Sequence, residues 1–138
     1  MSGINERAGK ALAGRGLARV WRIPNADERR QGYATSGPWR DPETGMLWVV
    51  ARPEYVWTPD MTDPATLGAF LAVVREAWGD PGLHIRYDGW IRMWTAYASD
   101  DTPLDRLVVD EGIEGRERVA EQTEEWCLVV ALEAAPTP

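Results

Sequence analysis

The chain has 138 residues, 44% of them apolar and 27% charged, with a formal net charge of −7. That length supports one domain with a sound core, is too short for two independent ones, and is too apolar for overall disorder. The acidic total disfavours general nucleic-acid or membrane binding, which draw on cationic surface, and the single cysteine, Cys127, excludes an internal disulfide and a multi-thiolate zinc site.

The charge is unevenly spread: +5 over residues 1–40, −4 over 41–97 and −8 over 98–138. Mutual attraction of the two ends across the fold accounts for this most simply. All but one of the basic residues are arginine, the signature of a GC-rich genome. The opening MSGINERAGKALAGR has no apolar core of a secretory signal, and no run nears the ~20 apolar residues that span a bilayer. The expected setting is a reducing host-cell cytoplasm, away from membranes.

In chain order, Ser2 caps a predicted helix over Ile4–Ala13, whose stripe is Ile4, Ala8, Ala11 and Leu12, ended by Gly14 and Gly16. Leu17–Ile23 reads as a strand stopped by Pro24, and Asn25–Gly32 as a polar loop. Tyr33–Arg40 and Met46–Arg52 read as strands flanking the turn Asp41–Gly45, with Glu54–Trp57 extended after Pro53. Asp63-Pro64 gives an N-cap and a first-turn proline, and Gly79–Gly82 the stop. Between them Leu67, Phe70, Leu71, Val74, Ala77 and Trp78 follow the spacing of a helix burying one face.

Leu83–Ala98, LHIRYDGWIRMWTAYA, holds the clearest hairpin signal. A two-residue type I′ turn at Asp88-Gly89 sets Tyr87 opposite Trp90, Ile85 opposite Arg92 and Leu83 opposite Trp94. His84 and Arg86 then share the other face with Ile91 and Met93. Both faces carry apolar groups, so the sheet is expected to be covered on both sides. Beyond it, Thr102-Pro103 reads as a short helical turn, Asp110–Gly115 as an exposed acidic loop, and Glu117–Glu121 as either strand or helix. Thr123 caps a last helix through Ala135, with Glu124 and Glu125 at the positive end of its dipole and WCLVVAL buried all round.

The order of these pieces resembles a family of phage and prophage proteins, the phage αβα (ABA) sandwich domain proteins. The resemblance rests on INERAGKALAGR as the first helix, MTDPATLGAFLAVVREAW as cap and helix, LHIRY and WIRMWTAYA as sheet strands, and TEEWCLVVALEAA as the last helix. It implies a phage origin and a three-layer α-β-α sandwich around a small, mainly antiparallel sheet. That agrees with the α/β (α+β) class read from the elements and with a single domain over 1–138. The family transfers no catalytic residues.

Chemistry-bearing groups are sparse. His84 in a strand and Cys127 in an apolar helix are core residues by default, not a nucleophilic dyad. Gly3–Lys10 misses phosphate-loop spacing, and Ala11 replaces the required Ser or Thr. Asp100, Asp101 and Asp105, followed by Asp110, Glu111 and Glu114, suit Mg²⁺ or Ca²⁺ in residue type but lack the EF-hand order, and a solvated loop is the plainer reading. No catalytic residue, metal ligand or cofactor is assigned.

The eight tryptophans are the unusual feature. Several neighbour arginine, and Trp90, Arg92 and Trp94 on one strand face would hold a guanidinium between two indoles. Such a surface suits a flat phosphate-bearing ligand or the centre of a protein interface, whereas indoles otherwise fill cores. Trp90, Arg92, Trp94, Trp39, Arg40 and Trp57 are therefore the ligand- or partner-binding candidates, Trp39 and Trp57 because they sit beside loop-forming prolines and Arg40 because it adjoins Trp39. The leading reading is a non-enzymatic phage accessory protein that binds a host protein or a small nucleotide-like molecule, with inhibition of a host defence system as one role. A virion-associated or homo-oligomeric interaction protein, and a metal-dependent enzyme on nucleotides or phosphoesters, are the two alternatives.

Overall fold

The computed structural model describes residues 3–16, 38–51 and 56–136. The Ser2 cap, the 17–23 strand, the 25–32 loop, residues 33–37 and 52–55, and Trp21 with Arg22 lie outside the described residues. Helices and antiparallel strands mix in an α+β fold, as the element pattern predicts. The strands divide among three small sheets. The chain forms two compact units, Met1–Phe70 and Leu71–Pro138.

The first unit holds α1 (Ile4–Ala13), β1 (Trp39–Arg40), β2 (Leu47–Ala51), β3 (Val56–Pro59) and the start of α2 (Pro64–Trp78). Gly3 is the N-cap of α1, and Ala8 and Leu12 form its buried stripe, packed toward β3. The three strands form one antiparallel sheet in the order β1-β2-β3. Its first turn is the expected one. Asp41 N–H donates to Met46 O at 2.8 Å, the Asp41 carboxylate accepts from Glu43 N–H at 2.9 Å, and Gly45 takes the positive φ (+82°) that closes the loop.

Helix α2 starts as its sequence dictates. The Asp63 carboxylate accepts from Thr66 N–H at 3.0 Å and from the Thr66 hydroxyl at 2.9 Å. The buried Thr66 hydroxyl in turn accepts from Leu47 N–H at 2.8 Å, joining helix start to β2. The helix ends at Gly79, φ +64°, with Gly79 N–H donating to Glu76 O and Asp80 N–H to Arg75 O. That pair of bonds is the Schellman stop, which needs a residue free to turn left-handed.

The second unit holds the end of α2, β4 (His84–Asp88), β5 (Met93–Tyr97), β6 (Asp105–Asp110), β7 (Ile113–Arg118), β8 (Ala120–Glu121) and α3 (Glu124–Ala134). One sheet has the order β4-β5-β8, and β6 and β7 form a separate ribbon. Helix α3 carries six consecutive buried residues, Cys127–Leu132, and packs on β4, β5 and β8. The Trp78 indole N–H donates to Ala131 O at 2.8 Å. The predicted all-round burial holds in this unit over Cys127–Leu132, with Trp126 only half-buried, and Thr123 caps the helix by accepting from Trp126 N–H at 3.2 Å.

Two local expectations fail. Residues 102–104 are not helical: Pro103 bridges to Tyr97 and Leu104 N–H donates to Ala96 O at 2.9 Å, so the segment runs as an extra edge beside β5. The predicted acidic loop at 110–115 is the tight turn of the ribbon, with Asp110 opposite Ile113 and positive φ at Glu111 (+50°) and Gly112 (+79°). Those angles define a type I′ turn, so the two-residue hairpin occurs here and not at Asp88-Gly89.

Candidate functional site

The first hairpin of the second unit is longer-looped than its Asp-Gly pair suggests. Asp88 opposes Met93, Tyr87 opposes Trp94 and Ile85 opposes Ala96, leaving Gly89, Trp90, Ile91 and Arg92 as a four-residue loop. Asp88 makes the difference. Its carboxylate accepts from Trp90 N–H at 2.9 Å and from the Tyr97 hydroxyl at 3.1 Å, and Arg118 lies 3.7 Å away. These partners, the Trp90 N–H foremost, hold the Asp88 carboxyl below its ordinary range. The register has slipped by an even number of positions, so Ile85, Tyr87 and Trp94 keep the shared face assigned to them.

The expected indole–guanidinium–indole stack is therefore absent as drawn. Trp94 is half-buried in β5 and meets the Tyr87 ring edge-on at 5.9 Å. Trp90 and Arg92 are lifted into the loop. Trp90 is 95% exposed, more than any other large apolar residue among those described, and Ile91 beside it is 41% exposed. Arg92 is exposed, no described residue pairs with its guanidinium, and its φ is +56°. The 41–46 loop has Gly45 at the equivalent closing position. An L-residue there carries strain that glycine does not. Arg92→Gly is expected to raise stability by up to about 1 kcal/mol, net of the entropy glycine adds to the unfolded chain. Chemical denaturation of the two forms measures this, and a loss of stability would show that the Arg92 side chain supports the fold.

The other face of the same hairpin is internally satisfied. Arg86 lies 3.3 Å from Asp101 and its guanidinium sits 4.0 Å above the Tyr97 ring. His84 stacks on that ring at 5.7 Å, with its Nε2 3.3 Å from Asp101 and its Nδ1 3.1 Å from Gly82 O. Each group has a local partner, which matches the packing and charge role expected of His84 and Arg86.

The remaining candidates lie in the first unit. Trp39, Trp48 and Trp57 share one face of the β1-β2-β3 sheet by register. Trp39 and Trp57 rings are 6.4 Å apart at 54°, and Trp57 is buried despite its neighbouring prolines. Trp48 is also buried, and its Nε1 has no hydrogen-bond partner among the described residues. Trp57 thus serves the core. Arg40 is committed as well: it forks onto both Asp63 oxygens at 3.0 and 3.1 Å and donates to Gly45 O at 2.8 Å. The structure so brings Trp39 and Trp57 together and locks Arg40 to a helix cap.

Arg40, with the Thr66 bonds adding to it, holds the Asp63 carboxyl at about 2, below its ordinary 3.8. A depressed acid stabilises the fold above its unfolded value and loses that contribution as pH falls through the folded one. The window is pH 4 down to 2. Asp63→Asn is expected to lower Tm at pH 6 and to flatten its fall across that window. Equal pH slopes in the two proteins would contradict the assignment.

Cys127 donates its thiol toward Val119 O at 3.7 Å, and burial pushes its pKa up to about 12. With His84 bonded elsewhere, the two do not form a nucleophilic pair. The acidic residues also disperse. Asp100 accepts from Thr102 N–H at 3.0 Å, Asp101 serves His84 and Arg86, and Asp105 stands opposite Arg118. Among the described residues no three His, Cys, Asp or Glu side chains are grouped to hold a metal ion. No described helix is long and apolar enough to cross a membrane. Set beside known proteins, the chain matches no protein-family model, no curated protein and no solved structure.

Proposed function

We propose that this protein is a non-catalytic interaction module whose contact element is the Gly89–Arg92 loop. The observation that carries the reading is Trp90, 95% exposed on a loop held by the Asp88 carboxylate. An indole in water is costly to keep, and tryptophan and arginine are the side chains that dominate protein interfaces once desolvated. Arg92 beside it, unpaired among the described residues, selects a partner whose apolar pocket is rimmed by carboxylate. The loop adds little ordering cost on binding, because its conformation is set before contact.

The sequence resemblance and the acidic balance support a phage or prophage accessory protein acting on a host protein, with a host defence complex as its target. The test is native mass spectrometry of the protein alone and after incubation with lysate of a GC-rich bacterial host, with Trp90→Ala in parallel. Species formed by the wild-type chain and lost from the variant support the reading. An undiminished set in the variant overturns it.

A further inference from the structure

We infer that β7 is a dimerisation edge, pairing antiparallel with β7 of a second copy about a two-fold axis between the two Gly115 residues. This goes beyond the Trp90 loop and does not depend on it. All six residues of β7 are exposed, and among the described residues only β6 pairs with this strand. Its outer edge is open. Two strands make a marginal sheet unless further strands or a packed helix support them. In this ribbon β6 packs toward α3, so β7 is the member left without cover.

The turn at Glu111-Gly112 fixes which backbone groups point outward. In a two-residue hairpin the residues flanking the turn, here Asp110 and Ile113, form a hydrogen-bonded pair. Such pairs alternate with unbonded ones along an antiparallel ladder. Ile113, Gly115 and Glu117 accordingly turn their backbone groups to β6, while Glu114 and Arg116 turn theirs away from it.

Of the four charged side chains on β7, two are engaged within the chain. Glu117 accepts from the Arg106 guanidinium at 2.7 Å, and Arg118 lies 3.7 Å from Asp88. Glu114 and Arg116 are left, exposed and without a partner among the described residues. They are opposite in charge, flank Gly115 and share one face of the strand. An axis at Gly115 sets Glu114 of each copy opposite Arg116 of the other, so the strand is its own complement. The same two residues own the outward backbone groups, so each facing pair also exchanges both backbone hydrogen bonds. A strand of uniform charge from another protein would meet repulsion at one of the two positions. Within the ribbon Leu107 (57% exposed) opposes Arg116 and Val109 (60%) opposes Glu114. Each row across the joined sheet then has an ion pair at its centre and an apolar side chain at either end.

Sedimentation equilibrium of the full chain over a concentration series tests this. The wild-type chain is expected to show a reversible monomer–dimer equilibrium, and Trp90→Ala to leave it unchanged. Glu114→Arg and Arg116→Glu set like charges opposite each other, and each should weaken the dimer about tenfold or more. The chain carrying both substitutions should regain the wild-type affinity, and the two single variants mixed together should form a heterodimer. Arg116→Pro removes an N–H that points away from β6, and should weaken the dimer by a similar factor while circular dichroism shows the fold retained. A wild-type chain monomeric at every concentration overturns the inference, including one that takes up another protein's strand at β7. A dimer indifferent to Glu114→Arg and Arg116→Pro, or a double variant as weak as the single ones, overturns it equally. A dimer lost on Trp90→Ala but not on Glu114→Arg would place the self-contact at the loop and overturn it as well.

Discussion

Replacing Trp90 by alanine should weaken association with the partner protein about thirtyfold or more while leaving the folded chain intact. The two halves of that expectation come from one number. At 95% exposure the indole contributes almost nothing to the core, so its removal is expected to shift Tm by no more than about 1 °C. In a complex the same ring is the largest apolar surface on offer, and truncating a central interface tryptophan costs 2 kcal/mol or more, about thirtyfold in Kd. Thermal melting and isothermal titration against the captured partner read the two quantities separately. A fall in Tm comparable to that of a core substitution would mean that the ring packs in solution, and the contact element would lie elsewhere.

Replacing Leu128 by alanine should do the opposite, with a loss of about 2–5 kcal/mol in stability. Leu128 is among the largest fully enclosed side chains, on a helix whose residues Cys127–Leu132 are all buried. The neighbours are held by capped helix, sheet and the Trp78–Ala131 bond, so little collapse into the vacated space is expected. Urea denaturation measures the loss. A cost below about 1 kcal/mol would mean that one side of the helix faces solvent.

Helices α2 and α3 were legible because each is punctuated chemically. Asp63-Pro64, Gly79 and Thr123 do in the structure what their side chains and backbone freedom predict. The strands were harder. At Asp88-Gly89 the local turn preference is real, but Asp88 satisfies Trp90 N–H and the Tyr97 hydroxyl at once only in the longer loop. Tertiary partners outweighed a dipeptide preference. Because that shift is even, the face assignment survived while the turn residues changed, which is why Trp90 and Arg92 left the sheet and Trp94 did not.

The ribbon was missed for a different reason. Every residue of β7 is exposed, so the alternation that marks a half-buried strand has nothing to act on: Glu114 falls in the stretch read as acidic loop, and Glu117–Glu121 reads equally as strand or helix. The Glu111-Gly112 pair was the available signal. Of the six candidate side chains, the proline argument misled at Trp57, since a nearby proline says nothing of whether an indole turns inward. Arg40 could not be placed from sequence because its partner, Asp63, is 23 positions away.

Photo-cross-linking from position 90 is the most direct test of the central claim. Trp90 is exchanged for p-benzoylphenylalanine, with exposed Ala72 on α2 exchanged in a control protein. Irradiation should give a discrete adduct from position 90 and none from position 72. Absence of any adduct from position 90, or the same adducts from both positions, would contradict the reading of this loop as the contact element.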